Sequence, residues 1–132
     1  MGEINKNSKI YIPGHSGMVG SSCLRILKKA GYNNIITENS SRLDLRNQRD
    51  VYNFIKTKEP DVIIDAAAKV GGILANKTYP YDFIMDNMLI QNNLIDSANK
   101  LDIKKFIFIG SSCIYPKNAP QPLKEDYLLT DS

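Results

Sequence analysis

The sequence is poor in residues that bind metals or form disulfides. Its 132 residues include two cysteines, Cys23 and Cys113, and one histidine, His15. The cysteines lie far apart and neither belongs to a CxxC pair, which argues against both a disulfide framework and a zinc site. We therefore predict reduced thiols and no metal.

Long apolar runs and concentrated charge are also missing. No stretch approaches the roughly 18 apolar residues of a membrane-spanning helix, and the N-terminal residues lack the apolar region of a signal peptide. The 17 basic and 14 acidic residues are scattered, without the basic stripe typical of nucleic-acid binding. These absences predict a cytoplasmic protein that binds neither membranes nor nucleic acid.

The hydrophobic pattern predicts strands that alternate with helices. Strands are expected at residues 9–13, 34–37, 61–67 and 105–110. Between them, helices are expected to end before Gly31, to run from the Asn47 cap to Pro60, and to run from Pro80 to about Leu101. This order predicts an α/β fold with a Rossmann-like, doubly wound parallel sheet.

We expect this sheet to be truncated after the fourth strand. Residues 1–8 are predicted to be a disordered tail, residues 9–132 to form part of an NAD(P)-binding domain, and the substrate domain to be absent.

The third strand contains Asp65 as the one buried acid in an otherwise apolar run.

Two helices have apolar faces that predict their packing. The first is expected to face the sheet with Val19, Cys23, Ile26, Leu27 and Ala30. The third has a broad stripe made of Phe83, Asn87, Ile90, Leu94 and Ala98, with Ile84, Met88 and Ile95 beside it. Such a helix covers the sheet with one side and could meet a helix of a second subunit with the other.

A glycine-rich turn between the first strand and the first helix predicts a dinucleotide pyrophosphate site. Its residues are Gly14, His15, Ser16, Gly17, Met18, Val19 and Gly20. In such turns one glycine permits the tight turn, one lets the backbone approach the phosphates, and one lets the helix pack closely on the strand. We interpret His15 as a loop residue near phosphate or solvent rather than as a catalytic base.

The segment after the second strand gives conflicting signals about the cofactor. Glu38 favours NAD because an acid there can bind the ribose 2′-hydroxyl, whereas Ser40, Ser41 and Arg42 favour the 2′-phosphate of NADP. Each of the four is equally explained as a solvated loop residue.

Three segments together resemble the GDP-L-fucose synthase family of extended short-chain dehydrogenases/reductases. They are GHSGMVG, the segment AAAKVGGILANKTYPYDFIMDN from Ala66, and GSSCIYP from Gly110. The resemblance implies an NADPH-dependent homodimer that epimerises GDP-4-keto-6-deoxy-D-mannose at C3 and C5 and reduces its C4 ketone.

The resemblance also implies roles for individual residues. Ser111 matches a serine that hydrogen-bonds the keto oxygen, and Cys113 matches an epimerisation acid/base. The cofactor contacts implied are Ser40, Ser41, Arg42, Asp44 and Leu45 at one end, Ala66, Ala67 and Ala68 beside the adenosine half, and Ile109, Gly110 and Ser112 near the nicotinamide. By the residues alone, GSSC is better explained as a polar strand end and Cys113 as a buried, inert thiol.

Two features depart from this family. Ser16, Glu38 and Ser40 stand where well-known members carry arginines near the 2′-phosphate, which leaves NAD possible. The catalytic YxxxK pair is absent from its usual place, and the one pair with that spacing, Tyr52 and Lys56, falls on the second helix. We therefore expect the chain alone to be inactive. The alternatives are a non-catalytic dinucleotide-binding module or another nucleotide-sugar epimerase/reductase.

Overall fold

The computed structural model describes residues 4–67 and 80–109. These residues form four strands and three helices in strict alternation. The strands are β1 (Ile10–Tyr11), β2 (Ile35–Ile36), β3 (Val62–Asp65) and β4 (Lys105–Phe108). The helices are α1 (Met18–Lys29), α2 (Gln48–Lys58) and α3 (Pro80–Lys100).

The four strands form one parallel sheet in the order β2-β1-β3-β4. β1 lies in the middle, with Ile10 opposite Ile35 of β2 on one side and Val62 of β3 on the other. The first strand of the chain therefore lies inside the sheet, with β2 on one side and β3 followed by β4 on the other. This arrangement confirms the predicted Rossmann-like sheet.

Both faces of the sheet are covered, because the apolar side chains divide into two clusters. On one face Ile10, Ile12, Val62 and Ile64 pack against α1. On the other face, Tyr11 and Ile63 pack with residues of both remaining helices, namely Val51, Ile55, Leu94 and Ala98. A sheet with helices on both sides is doubly wound.

The helix ends follow the local signals in the sequence. The Asn47 side chain accepts a hydrogen bond from the Asp50 amide and caps α2, as predicted. Glu59 takes a left-handed conformation at the other end of α2, directly before Pro60. Gly31 follows α1 with φ of +98°, a conformation that glycine adopts without strain.

The predicted face of α1 is partly wrong. Cys23 and Leu27 do pack on the sheet, but they are joined by Leu24, whereas Val19 and Ile26 are exposed. The reason is Gly20, which is buried against the glycine turn and fixes the rotation of the helix.

Residues 4–8, part of the predicted disordered tail, make specific contacts in the structure. The Lys6 ammonium donates to the Ala30 carbonyl at the end of α1 and lies 4.2 Å from the centre of the Tyr32 ring. The Asn34 side chain donates to the Asn7 carbonyl just before β2. These contacts hold the segment against the ends of α1 and β2.

No helix in the described ranges is long and apolar enough to cross a membrane.

Candidate functional site

The glycine turn joins β1 to α1 and rests on the end of β3. Gly14 has φ of +81°, and a Cβ there would overlap the Ala66 carbonyl group. A Cβ on Gly20 would overlap the carbonyl of Gly14. Glycine is therefore required at 14 by the backbone and by packing, and at 20 by the close approach of α1 to the turn.

Gly17 differs from its two neighbours because nothing in the described fold requires glycine there. Its φ is −74°, and a Cβ would meet only the Gly14 carbonyl oxygen at an ordinary 3.6 Å. Gly17 is also the N-cap of α1, and no side chain among the described residues caps that helix end. A small residue beside uncapped helix N–H groups suits the close approach of an anionic ligand.

A cavity of about 540 Å³ opens beside the turn. This volume lies within the roughly 300–1,000 Å³ range of small-molecule and cofactor sites. The lining residues come from the glycine turn, β1, the segment after β2, and α3. They are Tyr11, Gly14, His15, Ser16, Glu38, Ser40, Leu43, Asp44, Leu45, Arg46, Asp86 and Ile90.

An ion-pair network spans this cavity. The Arg46 guanidinium donates to both Asp44 carboxylate oxygens at 3.0 Å, and its Nη1 lies 3.6 Å from Asp86 of α3. Hydrogen bonds from the Arg46 side chain and backbone lower the pKa of Asp44. The network thus links the segment before α2 to α3 across the cavity. Arg46, the one arginine of the cavity lining, is therefore already engaged in ion pairs.

Polar side chains of α3 also hold the walls of the site. The buried Asn93 donates to the Leu45 carbonyl at 2.9 Å, and Gln91 donates to the Ala67 carbonyl at the end of β3. The sequence signal was present, since Asp86, Gln91 and Asn93 interrupt an apolar stripe. The prediction did not use it because polar residues at such positions do not reveal which loop they contact.

Asp65 lies under the site with its carboxyl group fully buried. Its Oδ1 accepts a hydrogen bond from the Ala67 amide at 3.0 Å. Burial raises the pKa of Asp65 to about 7, against the lowering effect of hydrogen bonds from Ala67 and Gln91. Tyr11 is adjacent: burial, then the charges of Asp65 and Glu38, raise the pKa of its hydroxyl.

The predicted cofactor contacts fall into groups. Lining the cavity are Gly14, His15, Ser16, Ser40, Asp44 and Leu45. Ser41 and Arg42 are exposed and do not line it, whereas Met18 and Val19 lie exposed at the start of α1. Ala66 and Ala67 lie against the turn through their backbone, and Ile109 continues from β4 with its amide bonded to the Asp65 carbonyl at 3.0 Å.

Several predicted residues lie outside the described ranges. They are the cofactor contacts Ala68, Gly110 and Ser112, the catalytic residues Ser111 and Cys113, and residues 69–72. No cluster of His, Cys, Asp or Glu within the described ranges could hold a metal ion. The described Cys23 is a free thiol whose pKa is raised by burial.

The Tyr52 and Lys56 pair lies away from the candidate site. Both residues are on α2, with the Lys56 ammonium 5.9 Å from the centre of the Tyr52 ring. Tyr52 lines a separate depression with Gln48, Arg49, Asp96 and Lys100. The pair therefore has no access to the cavity beside the glycine turn.

A family model described as the NAD dependent epimerase/dehydratase family matches residues 10–132. The chain belongs to this family. The match covers every described strand and helix, including the glycine turn.

Curated members of the family match nearly the whole chain. A putative GDP-L-fucose synthase 2 from Arabidopsis thaliana is 52% identical over 127 residues, which cover 96% of this chain and 39% of the plant protein. GDP-L-fucose synthase from Escherichia coli K12 is 46% identical over 121 residues, 92% of this chain and 38% of the bacterial protein. The chain thus spans about two fifths of the length of these relatives.

Solved structures show the same fold. DdhaC superposes with a TM-score of 0.91 at 47% identity, covering 98% of this chain and 38% of the other. MlghC, described as a GDP-mannoheptose C4 reductase from Campylobacter jejuni with NADP bound, gives a TM-score of 0.86 at 40% identity, covering 98% and 41%.

Proposed function

We propose that this chain is the N-terminal, cofactor-binding part of a GDP-L-fucose synthase, an NADPH-dependent 3,5-epimerase/4-reductase that converts GDP-4-keto-6-deoxy-D-mannose to GDP-L-fucose. One observation carries the proposed cofactor binding: Gly14 and Gly20 are required by the close packing of the turn, and Gly17 leaves the start of α1 open beside a cavity of cofactor size. The similarity to GDP-L-fucose synthases from plants and bacteria supports the substrate.

In this proposal the dinucleotide lies across the turn. The pyrophosphate meets Gly14 to Gly20 and the N-terminus of α1, and the adenosine half enters the cavity beside Ser40, Asp44 and Leu45. Ser41 and Arg42 flank the ribose, the alanines at 66, 67 and 68 border the adenosine half, and Ile109, Gly110 and Ser112 border the nicotinamide. Bound NADPH supplies the hydride for ketone reduction.

The proposed catalytic residues follow β4. The Ser111 hydroxyl donates a hydrogen bond to the keto oxygen, and the Cys113 thiol exchanges protons at the carbons beside that ketone. The carboxyl ends of parallel strands are where ligands of open α/β sheets bind, which supports both assignments.

NADP(H) is the proposed cofactor, with NAD(H) as the alternative. NADP in the structure of MlghC supports this choice. Arg46 is the cavity's one guanidinium, and it would have to leave Asp44 or Asp86 to reach a 2′-phosphate.

The partner and location are proposals as well. The exposed apolar side of α3, with Ile84, Met88 and Ile95 each about half accessible, fits a homodimer interface. We also propose that the enzyme acts in the cytoplasm.

Binding is tested by titrating NADPH and NADH into the protein and following cofactor fluorescence. Ser16→Asp, which puts a carboxylate in the turn, is expected to weaken binding roughly tenfold through repulsion of the phosphates. The matched control is Ser22→Asp, further along α1, which should leave affinity unchanged. Absence of binding by the wild-type chain at millimolar cofactor would refute the proposal.

A second candidate is a dinucleotide-binding module without catalysis. The observation that favours it is the position of the YxxxK spacing, which occurs on α2 and faces a separate depression. The whole protein that contains this chain should then bind NADPH but leave its absorbance unchanged when GDP-4-keto-6-deoxy-D-mannose is added. Oxidation of NADPH at an ordinary enzymatic rate would contradict this candidate.

A third candidate is an epimerase or reductase for a different GDP-sugar, favoured by the 40% identity to MlghC. The test uses a protein that contains this chain and the family's YxxxK pair. If the substrate is the fucose precursor, Cys113→Ser should abolish deuterium exchange at C3 and C5. Cys23→Ser, at the other cysteine, should retain that exchange. Retention in both variants would favour the different sugar.

A further inference from the structure

Carboxylates from two different elements hold the Arg46 side chain at the cavity beside the glycine turn. Its Nε and Nη2 donate to the two carboxylate oxygens of Asp44, each at 3.0 Å, and its Nη1 lies 3.6 Å from Asp86 of α3. The Arg46 amide also donates to Asp44, at 3.0 Å. A paired contact of a guanidinium with both oxygens of a carboxylate fixes the plane of the guanidinium as well as its position.

The charge of the cavity lining opposes a role for Arg46 as a phosphate ligand. The lining contains three carboxylates, Glu38, Asp44 and Asp86, against this one guanidinium. Two of the three already pair with it, and the Asp86 side chain is only 16% exposed. A phosphate at this position would compete with both carboxylates and would meet a net negative charge. An uncharged part of the ligand avoids both effects.

The surroundings of Arg46 suit an uncharged planar ring. Leu43 and Leu45 line the cavity from the segment before α2, and Ile90 lines it from α3. The N–H groups of a guanidinium lie in its plane, so its contacts with the two carboxylates use its edge and leave its flat faces for other contacts. These faces stack on aromatic rings, and the Arg46 side chain is half exposed. Adenine is an uncharged aromatic ring in the half of the dinucleotide that the proposed function places in this cavity.

A row of α3 residues fixes the distance between the two walls of this part of the cavity. Asp86, Ile90 and Asn93 follow one another at helical spacing and lie on one side of α3. The buried Asn93 donates to the Leu45 carbonyl at 2.9 Å, and Asp86 pairs with Arg46, the next residue. Two consecutive residues of the segment before α2 are thus tied to α3. Asp86 therefore sets where the guanidinium lies relative to Ile90.

We propose that Arg46 binds the adenine ring of the dinucleotide with one face of its guanidinium, and that Asp86 is a positioning residue that acts through it. Asp44 and Asp86 hold the guanidinium beside the apolar walls, so that the ring stacks on it when the cofactor enters. This inference rests on the proposed function. Because adenine is common to NADPH and NADH, Arg46 supports the binding of both cofactors and is not a ligand of the 2′-phosphate.

The test of Arg46 uses the whole protein that contains this chain and NADH, which has no 2′-phosphate. Arg46→Met removes the planar group and should weaken NADH binding roughly tenfold in a fluorescence titration, because a stacked cation is lost. Arg46→Lys keeps the positive charge without the flat face and should weaken NADH binding nearly as much. The matched control is Arg49→Met, on α2 and lining the separate depression with Tyr52, which should leave NADH affinity unchanged.

Asp86 is tested by two single variants and one double variant. Asp86→Asn should weaken NADH binding roughly threefold, because the guanidinium loses one of its two partners. Asp86→Glu keeps the carboxylate and should restore most of the affinity. In the Arg46→Met background, Asp86→Asn should cause no further loss, since Asp86 acts through Arg46. The control is Asp96→Asn, which breaks the ion pair with Lys100 on the same helix and should bind NADH like the wild type.

The outcomes separate this inference from the proposed function. If Arg46→Met or Arg46→Lys binds NADH as tightly as the wild type, Arg46 does not stack on adenine and the inference is overturned. A loss in Asp86→Asn that persists at full size in the Arg46→Met background would overturn the positioning role of Asp86. A wild-type protein that binds neither NADH nor NADPH would refute the proposed function, and the inference would fail with it.

Discussion

Single residues set the charge that the ribose end of a dinucleotide would meet. The cavity lining includes three carboxylates, Glu38, Asp44 and Asp86, and one guanidinium, Arg46, which is already paired with two of them. Arg42, the other arginine of this segment, does not line the cavity. Glu38 is therefore the carboxylate without an arginine partner, and its Oε1 accepts from the Asn39 amide at 3.0 Å.

Removing the Glu38 charge should change cofactor preference. Glu38→Gln is expected to raise affinity for NADPH relative to NADH by roughly tenfold, because it removes repulsion of the 2′-phosphate. Glu38→Arg should raise that ratio further. The ratio is measured by fluorescence titration with both cofactors, and Glu59→Gln, the same change at the end of α2 and outside the cavity lining, serves as the control that leaves it unchanged. Equal improvement for NADH would show that repulsion of the 2′-phosphate is not the cause.

Asp65 makes the stability of the fold depend on pH. Its pKa is about 7 in the folded chain and about 3.9 when unfolded, so between these values the folded state holds a proton that the unfolded state lacks. Stability contributed by the neutral group is present at low pH and is lost as pH rises to about 7.

Asp65→Asn should therefore stabilise the protein at high pH and not at low pH. We expect a gain on the order of 2–4 kcal/mol at pH 8 and little change at pH 4, because the neutral amide carries no charge to bury. Urea unfolding at the two pH values measures this difference. A gain of the same size at both would mean that packing, rather than ionisation, distinguishes the variant.

The sequence allowed some of these residues to be predicted and not others. Asp65 was identifiable as an acid inside an apolar strand, and Glu38 as an acid after β2, because both signals are local. The pairing of Arg46 with Asp86 was not predictable, since it joins residues 40 positions apart and depends on how α3 crosses the cavity.

For the helices, features set by the local sequence were likewise predictable, whereas features set by tertiary contacts were not. The ends of α1 and α2 were predictable because Gly31, Asn47 and Pro60 act through their own backbone or immediate neighbours. The rotation of α1 was not, because it depends on the contact of Gly20 with a turn six residues earlier. Val19 and Ile26 satisfied the helical period but lie outside the contact face.

The glycines at the start of α1 should separate binding from stability. Gly17→Ala meets no close protein atom, so it should leave stability within about 0.5 kcal/mol while reducing NADPH affinity. Gly20→Ala would overlap the Gly14 carbonyl and should cost about 1–3 kcal/mol of stability. Thermal unfolding and fluorescence titration of both variants check this. A destabilised Gly17→Ala would show that the fold itself requires that glycine.

At the scale of the whole molecule, α3 has two different roles: one side packs on the sheet and the site, and the other side is exposed. Its inner side closes the sheet with Leu94 and Ala98 and holds the walls of the site through Gln91 and Asn93. Its outer side remains apolar and exposed at Ile84, Met88 and Ile95, which are 55%, 52% and 51% accessible. The sequence predicted this broad stripe, but only the fold shows which half the sheet covers.

The homodimer interface proposed for the outer side of α3 should fail when it acquires charge. Ile95→Glu is expected to shift the protein from dimer to monomer, because two symmetry-related copies place two carboxylates in one apolar contact. The matched control is Ile26→Glu, at an isoleucine of α1 that is 65% accessible and lies on the opposite side of the sheet. Sedimentation equilibrium measures both. A wild-type chain that stays monomeric, or two variants that dissociate alike, would exclude this face as the dimer contact. Selective dissociation of Ile95→Glu would show that the two subunits meet through α3, the helix that also holds the walls of each proposed dinucleotide site.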